Sequence, residues 1–443
     1  SFPTRRSSDL TVYNLAGQVV SSIDALGNTT TYAYDDAGNQ IRVTNPLGYS
    51  ITSTYASNSN LLSAVQDQLG NRTTYTYDLN GRQVGRRSPN TTYLVTWVYD
   101  NAGQNIAIVN ENTGRSTTSY DAAGRAVTVI DANAWRKTFS YDAAGQLMTI
   151  IFGDGARVTF GYDANGRRTT MQDSTGTTTY AYSSSGQVVG VTNPGGYRLT
   201  YEYDSTGNRS LLIDPDGGRC TYSYDALGRV STILDTTGVV TTYEYDADGN
   251  LTTLTSGERK LMSYDALGRL ITEVQQTSGG TPILTMVDTY DSAGRKTKQV
   301  KNSTTTTFTY DNADRLLSQQ RPGGKSVTYT LDTVSNLKTI KAEGAQPVTM
   351  ALNNIGCIIT IQDGPTRVTF TYDANGNMLS ENRGGIRTTF TYDRENRLTV
   401  KNDNGDRTTM TYNGDGQRIT RQTSTKLTTF IWDGSDYIQE KSS

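Results

Sequence analysis

Aspartate is the residue in this sequence whose number and regular spacing could carry chemistry. The chain of 443 residues contains no histidine, which removes the commonest general base, the usual catalytic triads and most zinc sites. Its two cysteines, Cys220 and Cys357, supply neither a disulfide framework nor a metal-binding spacing. The carboxylates that remain include Asp121, Asp142 and Asp163, each followed three residues later by glycine. Because each stands first in a turn and none differs from its copies, the sequence predicts a structural role, with a catalytic dyad as the alternative.

Three other motifs resemble functional sites, and all three are better explained as turns. Asp214-Pro215 falls where a chain reversal is expected between two strands. Gly324-Lys325-Ser326 resembles the end of a phosphate-binding loop, but Gln319 stands where that loop requires glycine. Glycine pairs such as Gly217-Gly218 and Gly384-Gly385 lack the nine-residue aspartate spacing of calcium-binding repeats. The sequence therefore predicts no catalytic residue, no cofactor and no metal.

The elements that position these residues follow from one repeated phrase, clearest as Tyr-Ser-Tyr-Asp-Ala-Leu-Gly-Arg at residues 222–229. Literal and degenerate copies recur about every 21 residues along the whole chain. An aspartate at the start of a turn can accept a bond from the backbone two residues on, and glycine takes a left-handed conformation without steric cost. A type I turn followed by such a residue is a hairpin connection. The predicted repeat-turn residues are Tyr120, Asp121, Gly124, Arg125, Tyr141, Asp142, Gly145, Tyr162, Asp163, Gly166, Arg167, Tyr224, Asp225, Gly228, Arg229, Tyr264, Asp265, Gly268 and Arg269.

The residues between the turns alternate as β-strands do. Phe139 and Tyr141 lie on one predicted face and Ser140 on the other. A second turn follows about ten residues later, so each repeat is one hairpin. About 21 hairpins make about 42 strands, and a flat sheet of that number would be ~200 Å wide. Open sheets rarely exceed about ten strands without curling. The predicted fold is all-β, a strip of antiparallel hairpins coiled into a hollow shell, with a parallel β-solenoid as the alternative.

Composition supports a lean sheet and limits the classes of function. Hydrophobic residues make up 34% of the chain and Tyr (29) outnumbers Phe (8), which favours an aromatic face that is partly hydrated or hydrogen-bonded. The net charge of -2 is evenly distributed, which argues against nucleic-acid binding. No apolar run is long enough for a transmembrane helix. Where two copies of the phrase stand further apart, at Tyr264 and Tyr290, we expect a longer loop at the second turn, over residues 275–282.

Three segments are expected from the sequence. Residues 1–10 match one reading frame of a widely used sequencing adapter, so we exclude them from the fold prediction. Residues 11–437 form the repeat array. Residues 438–443 are expected to be a truncated end of the array, since neither terminus carries an obvious capping repeat.

The phrase Tyr-x-Tyr-Asp-x-x-Gly-Arg at this period resembles the RHS or YD-repeat family. Clear carriers are residues 162–167, 224–229 and 264–269, and the resemblance extends over essentially the whole array. It implies the family's architecture, a β-hairpin strip wound into a hollow shell. In bacterial members the shell encloses the protein's own C-terminal toxin, while related shells occur in insecticidal toxin complexes and in teneurins. The self-cleaving core segment of the toxin-type members is not found in this sequence.

The resemblance implies a non-catalytic shell segment that encloses and helps deliver a C-terminal toxin outside this chain. The expected partners are that toxin and secretion-system or surface components, and the expected location is secreted or at the cell surface. The alternative function is an adhesin whose outer aromatic residues or loops bind carbohydrate or a partner cell. An enzyme within the array would require one repeat to differ chemically from the others, and none does.

Overall fold

The computed structural model describes residues 10–57, 59–89 and 94–442, and these residues form β-strands joined by tight turns. All 42 strands belong to one antiparallel sheet. Apart from one 3-10 turn, Pro322–Gly324, these residues contain no helix, and hence none that could span a membrane. The predicted all-β fold of antiparallel hairpins is confirmed, and the parallel β-solenoid is wrong. The proposed adapter segment lies outside the described residues except for Leu10.

The chain divides into two compact units. The first comprises Ser1–Leu94 and Ser223–Met350, and the second Val95–Tyr222 and Ala351–Ser443. Strands β9 (Leu94–Tyr99), β21 (Arg219–Tyr224) and β33 (Val348–Leu352) carry the chain from one unit to the other.

The remaining strands of the first unit are β1 Leu10–Tyr13, β2 Val19–Ile23, β3 Thr29–Tyr34, β4 Gln40–Thr44, β5 Ser50–Tyr55, β6 Leu62–Gln66, β7 Arg72–Tyr77, β8 Gln83–Arg87, β22 Val230–Leu234, β23 Val240–Tyr245, β24 Leu251–Ser256, β25 Glu258–Tyr264, β26 Leu270–Gln276, β27 Pro282–Tyr290, β28 Lys296–Lys301, β29 Thr304–Tyr310, β30 Leu316–Gln320, β31 Ser326–Leu331 and β32 Leu337–Ala342. Those of the second unit are β10 Asn105–Val109, β11 Arg115–Tyr120, β12 Ala126–Ile130, β13 Arg136–Tyr141, β14 Leu147–Phe152, β15 Arg157–Tyr162, β16 Arg168–Asp173, β17 Gly176–Tyr182, β18 Val188–Thr192, β19 Arg198–Tyr203, β20 Arg209–Ile213, β34 Ile358–Asp363, β35 Thr366–Tyr372, β36 Met378–Arg383, β37 Ile386–Tyr392, β38 Leu398–Asp403, β39 Asp406–Tyr412, β40 Arg418–Gln422, β41 Leu427–Asp433 and β42 Asp436–Ser442.

The hairpins share a register irregularity at the Tyr-Asp turn. Between β13 and β14, Ser140 pairs with Thr149 but Tyr141 pairs with Leu147, so one residue of β14 has no partner. The same shift occurs between β11 and β12 and between β15 and β16. A type I turn followed by a left-handed residue produces such a bulge, which increases the local twist of the strands.

The expected longer loop over residues 275–282 is wrong. Thr277 and Gly280 close an ordinary four-residue turn, in which the Gly280 amide donates to the Thr277 carbonyl at 2.9 Å. The additional residues lengthen the flanking strands instead, so that β26 has 7 residues and β27 has 9. Extending paired strands satisfies the backbone groups of the extra residues, whereas a longer loop would leave them to solvent.

The apolar core is thin, because most strand residues are half-buried. In the described residues, two clusters of buried side chains are found, and both lie in the second unit. The first contains Phe152, Val158, Phe160 and Met171. The second contains Leu199, Tyr201, Leu212 and Ile431.

Candidate functional site

The aspartate that opens a Tyr-Asp turn accepts hydrogen bonds from its own turn. In the turn at Asp121, Oδ1 accepts the backbone N–H groups of Ala123 and Arg125, both at 2.9 Å. Oδ2 accepts the side chain of Arg125, whose Nε lies at 2.7 Å. The backbone N–H of Arg125, and after it the side chain of Arg125, hold the pKa of Asp121 below its usual value. A carboxylate with both oxygens occupied and a lowered pKa is a poor general acid or base at neutral pH.

The glycine of the phrase closes this turn. Gly124 adopts a φ of +80°, a left-handed conformation that strains residues with a Cβ. Its N–H donates to the Asp121 carbonyl at 3.0 Å. The left-handed position is retained even where glycine is lost, since Asp314, Ser335 and Asn396 adopt φ values of 63°, 70° and 62°.

The other predicted repeat-turn residues occupy the same geometry. Asp163, Asp225 and Asp265 each hold the arginine four residues on through Oδ2, at 2.7 Å from its Nε. Gly145, Gly166, Gly228 and Gly268 all have positive φ angles. Asp142 is followed by Gln146 instead of arginine, and the Gln146 backbone N–H donates to Asp142 Oδ1 at 2.8 Å.

The tyrosine of the phrase joins its own strand to the one before it. The Tyr141 hydroxyl donates to the Ala126 carbonyl at 2.9 Å, and the Tyr162 hydroxyl donates to the Leu147 carbonyl at 2.9 Å. Tyr120 binds the Asn105 carbonyl and Tyr264 the Leu251 carbonyl, each at 2.8 Å. Tyr224 ends β21. The hydroxyl of each bonded tyrosine therefore satisfies a backbone carbonyl at the start of the preceding strand.

The arginine of the phrase links one repeat to the next. The Arg125 guanidinium lies 4.7 Å from the centre of the Tyr141 ring, and Arg167 lies 4.6 Å from the centre of the Tyr182 ring. Such cation–π contacts contribute about 0.5–1 kcal/mol at exposed sites. Where Gln146 replaces arginine, its side-chain amide donates to the Gly166 carbonyl of the next turn at 3.1 Å. This contact also joins neighbouring repeats.

Further arginine–tyrosine contacts follow the same pattern. Arg229 stacks on Tyr245 at 4.4 Å and Arg269 stacks on Tyr290 at 4.6 Å. The sequence identified the arginines as part of the phrase but did not reveal this connection. The sequence did contain a signal for it, because a tyrosine ends the second strand after each of these arginines.

A second set of contacts joins two strips within the second unit. We call residues 95–222 the first strip and residues 351–442 the second strip. The second turns of the first strip, with nearby strand residues, contact the Tyr-Asp turns and nearby strand residues of the second strip, and we call these contacts the seam. Asn133 donates to Asp373 at 2.9 Å, and Asn375 donates to Asp131 at 2.8 Å. These partners are 240 and 244 residues apart in the sequence.

The seam also contains charged and aromatic contacts. Arg394 lies 4.7 Å from the centre of the Trp135 ring and 3.7 Å from Asp154. Further along, Asp216 accepts the side chains of Gln439 and Lys441. Asp216 is the third residue of the turn that Asp214 and Pro215 begin, so this motif lies in a turn that contributes to the seam.

A cavity of about 210 Å³ lies at the seam beside Gly414. Its lining includes the apolar side chains of Phe152, Val158 and Met410 and charged groups on Asp173 and Arg397. Gly414 is held closely here, because its N–H donates to Asp173 Oδ2 at 2.6 Å. A Cβ on Gly414 would lie 2.6 Å from Val158 Cγ1 and 3.0 Å from Met171 Sδ. The glycine is therefore required by space, since its φ is not positive.

These side chains mainly bind one another. In the described residues, no group of three or more cysteine or acidic side chains is placed to hold a metal ion. The Gly324-Lys325-Ser326 segment begins at the last residue of a single 3-10 turn and ends at the first residue of β31, so it does not lead into a helix N-terminus as a phosphate loop requires. The contacts of these side chains hold neighbouring repeats together and hold the two strips of the second unit together.

Two family models match the sequence. The model described as Teneurin YD-shell matches residues 48–179 and 88–220. The model described as RHS Repeat matches residues 13–50, 224–261, 290–326 and 372–407. Together the two models cover well over half of the chain. No curated protein sequence matches it.

Solved structures share the fold at low sequence identity. A chain in the crystal structure of TcdB2-TccC3-TEV has a TM-score of 0.71 and 16% identity, and the match covers 96% of this chain and 28% of that one. A chain of the Photorhabdus luminescens Tc holotoxin pore has a TM-score of 0.72 and 16% identity, and the match covers 95% of this chain and 28% of that one. A chain of the TcdB2-TccC3 crystal structure has a TM-score of 0.66 and 16% identity, and the match covers 96% of this chain and 30% of that one. This chain therefore spans less than a third of the length of these proteins.

Both family models and the shared fold indicate the same family. The repeated turn and the tyrosine and arginine links between repeats are consistent with it. The chain belongs to the RHS/YD-repeat family of β-hairpin shell proteins.

Proposed function

We propose that this chain is a non-catalytic wall segment of a shell that encloses a toxin domain and helps to deliver it. The observation that carries the proposal is the match of 95% and 96% of this chain to chains of two toxin complexes, with TM-scores of 0.72 and 0.71. The enclosed partner would be a C-terminal toxin domain encoded with this chain or associated with it. Secretion-system or surface components are the further partners that we propose, and the location would be secreted or at the cell surface.

The side chains of the repeats support a structural role for the wall. The repeated aspartates are the largest group of carboxylates, and in the turns described above they accept bonds from their own backbone and from arginine. The same residue types that could perform acid–base chemistry thus stabilise the turns. A wall of this kind would act on its cargo by excluding other molecules, with no cofactor and no bond cleavage of its own.

The tyrosines give less support to the alternative of a carbohydrate-binding adhesin. Sugar recognition by aromatic side chains requires an open ring face. In Tyr141 and Tyr182 an arginine already stacks on one ring face, and the hydroxyls bind backbone carbonyls at 2.9 Å and 2.8 Å. These tyrosines are therefore largely committed to contacts within the sheet.

The test requires the complete gene, recovered by long-read sequencing of the source DNA, and the protein that it encodes. The full protein and its C-terminal region expressed alone would be digested with the same protease over time. Enclosure predicts that the C-terminal region survives in the full protein under conditions that degrade it alone. Equal rates of digestion would overturn the proposal. A gene that continues into a membrane or wall anchor, together with binding on a glycan array, would favour the adhesin.

A further inference from the structure

The seam of the second unit contains two similar groups of side chains, each built from an arginine and a tyrosine of the first strip and an aspartate of the second. In the first group, the Arg168 guanidinium donates through Nη1 and Nη2 to the two carboxylate oxygens of Asp415, each at 2.7 Å. Arg168 Nη2 also donates to the Tyr180 hydroxyl at 2.7 Å. The side chains of Arg168 and Asp415 are 30% and 33% exposed.

The second group repeats this chemistry further along the seam, with its tyrosine and its aspartate one repeat later and its arginine two repeats after Arg168. The Tyr201 hydroxyl donates to Asp433 Oδ1 at 2.9 Å, and Arg209 donates to Asp433 Oδ2. The Asp433 side chain is only 13% exposed. The adjacent carboxylate and, above all, burial raise the pKa of Tyr201, so the hydroxyl remains a donor over the whole neutral range.

The two arginines occupy equivalent positions in their repeats. Arg168 and Arg209 are the first residues of β16 and β20, the strands that follow Tyr-Asp turns. The equivalent residues of most other strands are apolar, as Ala126, Leu147 and Val188 are, although Asn105 and Arg418 also stand at this position. Arginine thus replaces an apolar residue where an aspartate of the second strip lies opposite.

We infer that these two groups, which we call the clasps, fix the register in which the second strip lies against the first. The apolar part of the seam cannot do so alone, because burial of apolar surface is not directional. Moving the second strip by one repeat would separate Asp415 from Arg168 and Asp433 from Arg209, so both existing ion pairs would be lost. Breaking a partly buried pair is costly because the remaining charge loses its partner, and the two-pronged arginine–carboxylate geometry adds specificity.

This role goes beyond that of a wall segment. It assigns a function to particular residues, namely the choice of which repeat of one strip lies beside which repeat of the other. It does not depend on whether the shell encloses a toxin.

Charge reversal and charge exchange test the first clasp. The measurement is hydrogen exchange of the Gly414 amide, which donates to Asp173 across the seam. Asp415→Arg and Arg168→Asp are each expected to speed this exchange by about tenfold, equivalent to about 1.4 kcal/mol. The double variant that exchanges the two charges should restore the slow rate. Asp36→Arg is the control, because it makes the same change of charge as Asp415→Arg at an exposed Tyr-Asp turn of the first unit. It should leave the exchange rate of the Gly414 amide unchanged.

Two results would overturn the inference. One is a Gly414 amide that exchanges at the parental rate in both single variants, since the seam would then be held by its other contacts. The other is a double variant that exchanges as fast as the single ones. If a charge reversal unfolds the chain, shown by rapid exchange in β3 and β4, Asp415→Asn replaces it. Unfolding of that variant too would mean that the pair is required for folding and does not merely set the register.

The second clasp provides an independent check. Tyr201→Phe removes the hydroxyl that donates to Asp433 but retains the ring within its apolar cluster. We expect faster exchange of the amides in β41 and β42 and no change at Gly414. Uniform acceleration at both places, or none at either, would contradict the assignment of separate clasps.

Discussion

Replacing Gly414 by alanine tests how closely the two strips approach. A Cβ there would lie 2.6 Å from Val158 Cγ1 and 3.3 Å from Val158 Cγ2, whereas carbon atoms in good contact are about 3.5–4.0 Å apart. The turn must therefore retreat by roughly 1 Å. The neighbouring Met171 is 1% exposed and has little room to move. Overpacking of this kind costs about 1–3 kcal/mol, and loss of the bond from the Gly414 N–H to Asp173 would add to it.

We therefore expect Gly414→Ala to destabilise the seam by about 2–4 kcal/mol, the sum of overpacking and a weakened bond to a charged group. The assay is hydrogen exchange resolved by peptide, because a chain with two compact units need not unfold in a single transition. Faster exchange should be confined to residues near 158, 173 and 414. Gly279→Ala is the matched control, since Gly279 also lacks a positive φ and its new Cβ would meet only Thr277 Oγ1, at 3.8 Å.

A double-mutant cycle makes this prediction refutable. Val158→Ala removes the two methyl groups that the new Cβ would meet, so the double variant should be less destabilised than the sum of the single ones. Exchange in Gly414→Ala that equals the parent, or effects that are strictly additive, would show that the strips do not approach as closely as described.

Three further predictions concern the repeated turn. Gly124→Val should cost about 1–3 kcal/mol, because valine is strained at positive φ, and exchange should accelerate only in the adjacent strands; an unchanged melting curve would contradict the left-handed turn. Tyr141→Phe should cost about 1 kcal/mol through loss of the bond to the Ala126 carbonyl, measured by urea denaturation. The folded-state pKa of Asp121 is lowered, so its stabilisation is present above the unfolded pKa and is lost as the pH falls through the folded value. Asp121→Asn should therefore weaken the acid dependence of exchange at this turn, and an unaltered acid limb would refute the role of the carboxylate.

The hairpins and their turns could be predicted because each is specified by residues close together in the sequence. The pattern Tyr-Asp-x-x-Gly contains the acceptor, the left-handed residue and the strand end within five positions. The error over residues 275–282 arose because spacing alone does not tell whether extra residues enter a turn or its strands. The chemistry of Thr277 to Gly280, which already completes a four-residue turn, was the overlooked signal.

The seam could not be predicted in the same way. Its partners are more than 220 residues apart, as Asp216 and Gln439 are, and neither residue is unusual in its own repeat. Pairing them requires the path of the strip in space, which depends on the summed twist of many strands. The exceptions to the repeat, such as Arg168 between Leu147 and Val188 in the neighbouring repeats, were visible in the sequence. Without the opposing aspartate, however, they had no interpretation.

The tyrosine bonds have a consequence for how the protein is made. Each bond from Tyr141 or Tyr162 closes over 15 residues of chain, and loops of this length close quickly and at low entropic cost. Repeats can therefore fold one after another as they leave the ribosome. The seam joins residues such as Arg168 and Asp415, 247 positions apart, so it must wait until most of the second unit has been synthesised. We expect a nascent chain that ends near residue 222 to contain formed hairpins, while the seam residues of its first strip still lack their partners. Misassembly is therefore most favoured during this interval of synthesis.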